Sequence, residues 1–199
     1  MNLARLAGIY AVVATVLAAA LATAVLAGPY RAIERSDYMT YHVAARIILA
    51  GDGDCLYDAA CQAEAQQQLI GDEPTFQGGA LPFNSPPWLA TLVVPLGWLS
   101  LSAGFAIFTA FGVLVLVVAA LRLAPGSGFA RLLGPLLLLT AWPTVIAFVR
   151  GQSTLLVVGL LGLSVALSRY RSGAAMGLAA LKPTLVPAWA AWQLLTGHW

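Results

Sequence analysis

The sequence predicts an all-α membrane protein whose helices form a multi-spanning bundle with one long polar loop. Of its 199 residues, 60% are hydrophobic and 9% are charged, whereas a soluble domain carries about 25% charged residues. All eight Asp and Glu residues lie between Glu34 and Glu73, and long apolar runs flank that stretch. Because about 20 consecutive apolar residues cross a bilayer as a helix, these runs are interpreted as membrane segments.

The first apolar run, residues 7–27, ends at Gly28-Pro29 and is interpreted as a retained transmembrane helix. The alternative is a secretory signal peptide, since residues 1–5 include Arg5 and small residues follow the run. A signal core has about 7–15 apolar residues, but residues 6–27 form a run of 22. The length therefore favours a helix that stays in the protein.

The polar loop, residues 29–85, carries eight carboxylates and three arginines, which gives it a net charge of −5. Its first helix is predicted over residues 37–50, with Ser36 as the N-cap and Gly51 as the stop. We expect this helix to be amphipathic and to lie on the membrane surface. Its apolar residues are Val43, Ile47 and Ala50, and Asp37, Tyr41 and Arg46 lie on its other faces. A second short helix is predicted over residues 57–69, and a loop over residues 71–82.

The two cysteines, Cys55 and Cys61, both lie in this loop. If the loop faces an oxidising compartment, they can form a short local disulfide. Two free thiols are the alternative, and the sequence leaves both open. No metal site is expected, because only His42 and His198 could join the cysteines and neither has ligand spacing.

Residues 86–199 are predicted to contain about five further hydrophobic segments. Pro86-Pro87 suits the start of a helix, and Pro95 interrupts the segment that follows. The predicted segments are residues 88–101, 102–123, 132–149 (broken near Pro143), 154–168 (closed by Arg169-Tyr170-Arg171) and 173–195 (with Lys182-Pro183 in its middle). Arg150-Gly151-Gln152 is a tight polar link between two of them. Together with the first helix and the loop, they make residues 1–199 one transmembrane domain.

The orientation of the first segment follows from charge. Arg5 before it and the acidic loop after it favour an inside N-terminus and an outside loop. The later crossings stay open. If every segment crosses, the arginines at 122, 131, 169 and 171 lie outside. If the segment broken at Pro95 re-enters instead, they lie inside and Arg150 alone lies outside.

Asp37 opens the strongest candidate site, Ser36-Asp37-Tyr38-x-x-Tyr41-His42. Asp37 and Tyr41 are four residues apart and share a helical face. A half-shielded aspartate at a helix start can accept a proton from a substrate hydroxyl. The alternative is that Asp37 only complements the helix dipole, and spacing alone favours that alternative.

Lys182 lies about nine residues into an apolar segment and forms a second candidate site with Arg150 and Gln152. A lysine at the centre of a membrane helix costs about 2.5–3.5 kcal/mol on insertion scales, so it usually has a partner. A loop carboxylate, a helix C-terminus and the phosphate of a lipid-linked ligand are the candidates. Snorkelling to the interface is the alternative. The isolated cations at helix ends do not indicate nucleic-acid binding.

Taken in order, several blocks of this chain resemble glycosyltransferase family 87, multi-spanning GT-C enzymes related to polyprenol-phosphate-mannose-dependent mannosyltransferases. The matching blocks are Asp37-Tyr38-x-x-Tyr41-x-x-Ala44, Gly51, Leu56-Tyr57, Phe83-Asn84-Ser85-Pro86-Pro87, Pro95-Leu96, Pro143, Gly151-Gln152-Ser153 and Leu181-Lys182-Pro183.

The resemblance implies a GT-C-like bundle that transfers a hexose, with mannose expected, from a polyprenyl-phosphate donor to a glycolipid or glycan acceptor. Transfer would invert the anomeric carbon on the extracytoplasmic face of a bacterial-type plasma membrane. Asp37 corresponds to the general base. The expected substrate-binding residues are Tyr41, His42, Arg46, Arg150, Gln152 and Lys182. A lipid-phosphate leaving group requires no cofactor, and the chain has no nucleotide-binding motif.

Members of this family are about twice as long as this chain. The chain is therefore expected to correspond to the N-terminal half of such an enzyme, and to be inactive alone if the other half supplies substrate contacts. A transporter and a non-catalytic membrane scaffold are the competing interpretations. The absence of acids and of repeats in the apolar segments is unlike a transporter.

Overall fold

The regular structure is entirely helical over the part of the chain that the computed structural model describes, which is residues 31–70, 80–126 and 128–196. The first predicted span, residues 7–27, and most of the loop predicted over residues 71–82 lie outside the described residues. The helices are α1 (Arg31–Glu34), α2 (Asp37–Ala50), a 3₁₀ helix (Gly53–Tyr57), α3 (Ala59–Ile70), α4 (Pro87–Gly97), α5 (Leu101–Leu123), α6 (Phe129–Thr140), α7 (Trp142–Val149), α8 (Thr154–Ala166), α9 (Arg169–Ala179) and α10 (Val186–Thr196). The predicted all-α class is confirmed.

The described residues divide into two compact units. The loop unit comprises residues 31–110 and Arg150–Gln152, and the hydrophobic unit comprises Phe111–Val149 and residues 153–196. Among the described helices, α5 alone is long and apolar enough to cross a membrane. Helices α6 and α7 form a bent pair. They would make a second candidate span only if the two helices together are counted as a single span.

Helix α2 has the bounds that its flanking residues predict. Ser36 is the N-cap, and Gly51 ends the helix with a φ of 85°, a backbone conformation that glycine adopts without steric cost. The N–H groups of Gly51 and Asp52 donate to the carbonyls of Ile48 and Ile47, each at 3.1 Å, so the last turn is closed as in a Schellman motif.

The expected one-sided burial of α2 is wrong. Every residue from Tyr38 to Ala45 is buried, whereas Ala50, assigned to the apolar face, is exposed. Aromatic neighbours explain the difference, because Tyr38 packs on Phe105 and both Tyr38 and Tyr41 pack on Phe108. Helix α4 also covers α2, and a Cβ on Gly97 would lie 3.1 Å from the Cβ of Ala45. Helix α2 is thus the core of the loop unit.

The second helix of the loop is confirmed with a small shift. Asp58 caps α3, since its Oδ1 accepts from the N–H groups of Ala60 and Cys61, each at 2.9 Å. The buried amide of Gln66 then holds the segment before α4, donating to the Leu81 carbonyl at 2.6 Å and accepting from the Leu81 N–H at 3.0 Å. These two bonds hold Leu81 against α3.

The hydrophobic unit packs α8 against α5 through glycines. A Cβ on Gly159 would lie 2.7 Å from the backbone nitrogen of Leu116, and one on Gly162 would lie 3.1 Å from the Cβ of Ala119. Small residues at such positions let helix backbones approach closely. The predicted break near Pro143 is confirmed, since the axis bends by 60° between α6 and α7.

The last predicted segment, residues 173–195, is not one helix. Arg169 and Arg171 begin α9 and do not close α8, and α9 ends at Ala179. Turns then lead to α10, which begins at Val186. Because a proline lacks the N–H that a helix interior needs, Pro183 prevents one continuous helix. Lys182 therefore lies in a turn, and the prediction that it sits inside a helix is wrong.

Candidate functional site

Asp37 and Gln152, which lie 115 positions apart in the chain, meet in the loop unit. The Nε2 of Gln152 donates to the Oδ2 of Asp37 at 2.6 Å. Asp37 is the first residue of α2 and is half-buried. Among the described residues, Gln152 is the one hydrogen-bond partner of this carboxylate. The structure thus brings together residues of two motifs that the sequence singles out separately.

The backbone of the Arg150–Gln152 link caps the start of α2. The Arg150 carbonyl accepts from the N–H of Asp37 at 2.9 Å and from that of Tyr38 at 3.4 Å. Ser36 does not cap with its side chain, because its Oγ donates to the Ile33 carbonyl at 2.5 Å. The first N–H groups of a helix lack partners within the helix. Here the Arg150 carbonyl is the partner of the first two. Among the described residues, the Asp37 carboxylate accepts from Gln152 and not from a backbone N–H of α2.

Gly151 makes this close approach possible. Its φ is 58°, in the left-handed region that other residues rarely enter. A Cβ there would lie 2.7 Å from the Cβ of Tyr38 and 2.7 Å from the Cε2 of Phe105. Only a residue without a side chain fits between α2 and α5 at this point of the loop unit.

Tyr38 and His42 form a buried pair in the next turn of α2. The Tyr38 hydroxyl lies 3.5 Å from the His42 Nδ1, and the two residues are 0% and 1% exposed. Burial raises the pKa of Tyr38. Burial lowers the pKa of His42 to about 4, and the nearby Arg46 charge adds to the effect. His42 is therefore a neutral ring at pH 7.

The other predicted substrate-binding residues of α2, Tyr41 and Arg46, lie in different surroundings. Tyr41 is 8% exposed and packs on Phe83 and Phe108. Arg46 is exposed and lines a groove between α2 and α3. The structure thus brings Tyr41 and His42 into the aromatic core and leaves Arg46 at the surface. Substrate contact by these three residues stays a prediction.

The remaining predicted cations differ in their surroundings. The Arg150 side chain is exposed next to the Asp37 backbone that its carbonyl caps. Lys182 belongs to the hydrophobic unit, where its Nζ donates to the Oγ1 of Thr154 at 2.8 Å. Thr154 is the first residue of α8. A hydroxyl is not among the partners that the sequence predicts for Lys182, which are a carboxylate, a helix C-terminus and a phosphate.

Cys55 and Cys61 are joined in a disulfide with their Cα atoms 5.4 Å apart, a separation typical of such bonds. The sequence left open a disulfide or two free thiols, and the structure contains the disulfide. No group of three or more His, Cys, Asp or Glu side chains that could hold a metal ion occurs within residues 31–70, 80–126 and 128–196.

The capping carbonyl of Arg150 and the packing role of Gly151 could not be predicted from the sequence. The glycine in a tight polar link was the available signal, but its partners on α2 and α5 could not be read from the local pattern.

Comparison with known proteins gives one family. The model of glycosyltransferase family 87 matches residues 83–199, more than half of the chain. The matched region includes Arg150, Gln152 and Lys182 and begins after Asp37. No curated protein and no solved structure matches the chain.

Proposed function

Because the chain belongs to glycosyltransferase family 87, we propose that it transfers a hexose, specifically mannose, from a polyprenyl-phosphate donor to a glycolipid or glycan acceptor, with Asp37 as the general base. The hydrogen bond between Gln152 and Asp37 carries this proposal. It connects a residue of the matched region to the one carboxylate that both the motif analysis and the resemblance single out.

The proposed reaction uses one oxygen of the Asp37 carboxylate. With Oδ2 held by Gln152, Oδ1 accepts the proton of the acceptor hydroxyl, whose oxygen attacks the anomeric carbon. The bond between that carbon and the donor phosphate oxygen breaks, the lipid phosphate leaves with the electron pair, and the anomeric carbon is inverted. A positioned base of this kind typically contributes 10²–10⁴-fold to the rate.

Cationic side chains would stabilise the phosphate as it leaves. Arg150 is exposed beside the start of α2, and Lys182 is held by the Thr154 hydroxyl at the start of α8. Positive groups aimed at developing negative charge are a common source of transition-state stabilisation. We therefore propose a role in phosphate binding for each residue, Arg150 in the loop unit and Lys182 in the hydrophobic unit.

The donor class is tested in lipid nanodiscs with the purified protein in the full-length form that the resemblance implies. We expect mannose transfer from polyprenyl-phosphate-linked mannose and none from a nucleoside-diphosphate mannose. R150Q and K182Q should each raise the donor KM about ten-fold, since hydrogen bonds to charged groups contribute about 1.5–3 kcal/mol. R122Q is the control, because Arg122 lies exposed in the last turn of α5. Transfer from the nucleotide sugar alone would overturn the donor assignment.

We further propose that the chain is a multi-pass protein of a bacterial-type plasma membrane, with a GT-C-like bundle in residues 86–199 and the loop of residues 29–85 outside. Helix α5 supports membrane insertion by its length and composition. The Cys55–Cys61 disulfide supports the outside loop, because disulfides persist in oxidising compartments.

The orientation is tested by labelling thiols in intact cells with a membrane-impermeant maleimide. We expect labelling only after treatment with an impermeant reductant, which opens the disulfide from outside. Labelling that requires cell lysis would instead place the loop inside.

A further inference from the structure

A groove of about 310 Å³ runs between α2 and α3 in the loop unit. Its apolar lining includes Val43 and Ile47, which are buried, and Leu69. Its charged lining consists of Arg46, Asp52 and Glu64, all exposed to solvent, and the Cys55–Cys61 disulfide completes the wall. The groove therefore joins an apolar surface to charged groups that both donate and accept hydrogen bonds.

This groove is not the reacting centre that we assign to Asp37. Arg46 follows Asp37 by nine residues on the same helix. At 1.5 Å per residue and 3.6 residues per turn, this places it about 13 Å along the axis and about half a turn away. The two positions therefore serve different parts of one large ligand, or different ligands.

The charges restrict the chemistry of the ligand. One guanidinium and two carboxylates leave the lining with a net negative charge, which disfavours a phosphate or another anion. Hydroxyl groups, by contrast, can donate to the carboxylates of Asp52 and Glu64 and accept from Arg46. The C–H face of a sugar ring is apolar enough to lie against Ile47 and Leu69. The volume is at the lower end of small-molecule sites, which begin at about 300 Å³.

We propose that this groove is a second saccharide-binding site, which holds a neutral sugar unit of the acceptor glycan remote from the hydroxyl that reacts. The proposal rests on the function proposed above, since it takes the sugar to be part of the acceptor. Binding here would favour acceptors of several sugar units over short ones without contacting the reacting atoms.

The binding test uses saturation-transfer NMR on the full chain in nanodiscs, with methyl α-mannoside, methyl α-glucoside and methyl α-galactoside as probes and inorganic phosphate as the anionic comparison. We expect at least one hexoside to bind and phosphate not to compete with it. A65W fills the groove from α3 and should reduce the hexoside signal at least five-fold. E64Q, a milder change, should weaken binding two- to five-fold.

D54N is the matched control, because Asp54 is an exposed carboxylate of the neighbouring 3₁₀ helix that does not line the groove. Its hexoside signal should equal that of the wild type. An unchanged thermal midpoint in A65W checks that the protein is folded. The proposal would be overturned if no hexoside binds, or if phosphate displaces the bound hexoside. It would also be overturned if hexoside binding is unchanged in both A65W and E64Q.

D37N separates this inference from the proposed function. We expect D37N to retain hexoside binding in the groove while losing sugar transfer. In the transfer assay, A65W should raise the KM for an oligosaccharide acceptor and leave the rate with a monosaccharide acceptor unchanged. If D37N transfers sugar normally, the general-base assignment fails while the groove measurements stand. If A65W affects both acceptors equally, the groove is not a remote acceptor site.

Discussion

Replacement of Asp37 by Asn is expected to lower the rate of sugar transfer by about 10²–10⁴-fold, the contribution typical of a positioned general base. An amide has nearly the same shape as the carboxylate and can still contact Gln152, but it cannot accept the proton of the acceptor hydroxyl. The measurement is the single-turnover rate with polyprenyl-phosphate-linked mannose. Because the change is nearly isosteric, the protein should keep its thermal midpoint.

Two further variants make the result specific. D54N changes an exposed carboxylate of the same loop unit and should transfer sugar at the wild-type rate. Q152A keeps the Asp37 carboxylate but removes the amide that holds its Oδ2 at 2.6 Å, so its rate should fall about ten-fold, in line with the strength of hydrogen bonds to charged groups. A D37N protein that transfers sugar at the wild-type rate would falsify the assignment of the base.

The bounds of α2 could be predicted because local chemistry decides them. Ser36 precedes the helix, and Gly51 ends it in the left-handed conformation that few other residues adopt. The break near Pro143 has a similarly local cause, since a proline lacks a backbone N–H. In each case the residues that decide the structure lie within a few positions of the feature, so the sequence pattern alone is sufficient.

Burial of α2 could not be predicted in the same way. Its polar and aromatic residues are consistent with a surface helix, but Phe83, Phe105 and Phe108 come from later segments and cover them. Such tertiary packing routinely overrides a weak local pattern. The prediction of one segment over residues 173–195 is wrong for a different reason. The hydrophobicity of these residues favours a single helix, but Pro183 does not allow the helix to continue.

The candidate site was predicted as parts and not as an arrangement. Asp37 stood out because it opens a helix after an apolar run, and Gln152 because it lies in a short polar link. Nothing in either local pattern states that the two side chains meet, since 115 positions separate them. The contact arises from the fold of the loop unit, to which the Arg150–Gln152 link belongs.

Replacement of Gly151 by Ala is expected to lower both the stability of the protein and its rate of sugar transfer. A residue with a Cβ pays about 1–2 kcal/mol for the left-handed conformation, and the φ of Gly151 is 58°. Overpacking adds about 1–3 kcal/mol, because the new Cβ would lie 2.7 Å from atoms of Tyr38 and Phe105. To relieve this, the link must move away from α2, and Gln152 then loses its contact with Asp37.

Thermal unfolding and single-turnover transfer measured on the same preparation test this expectation. G173A is the matched control, since Gly173 lies inside α9 and an added Cβ would have nothing within 4 Å beyond its chain neighbours and the backbone of its own helix. It should be neutral or slightly stabilising, because alanine favours a helix interior over glycine by roughly 0.5–1 kcal/mol. If G151A lowers the thermal midpoint but leaves the rate per folded molecule unchanged, the link stabilises the loop unit without positioning Asp37. The role assigned to the link in catalysis would then be wrong, even though its role in the fold would stand.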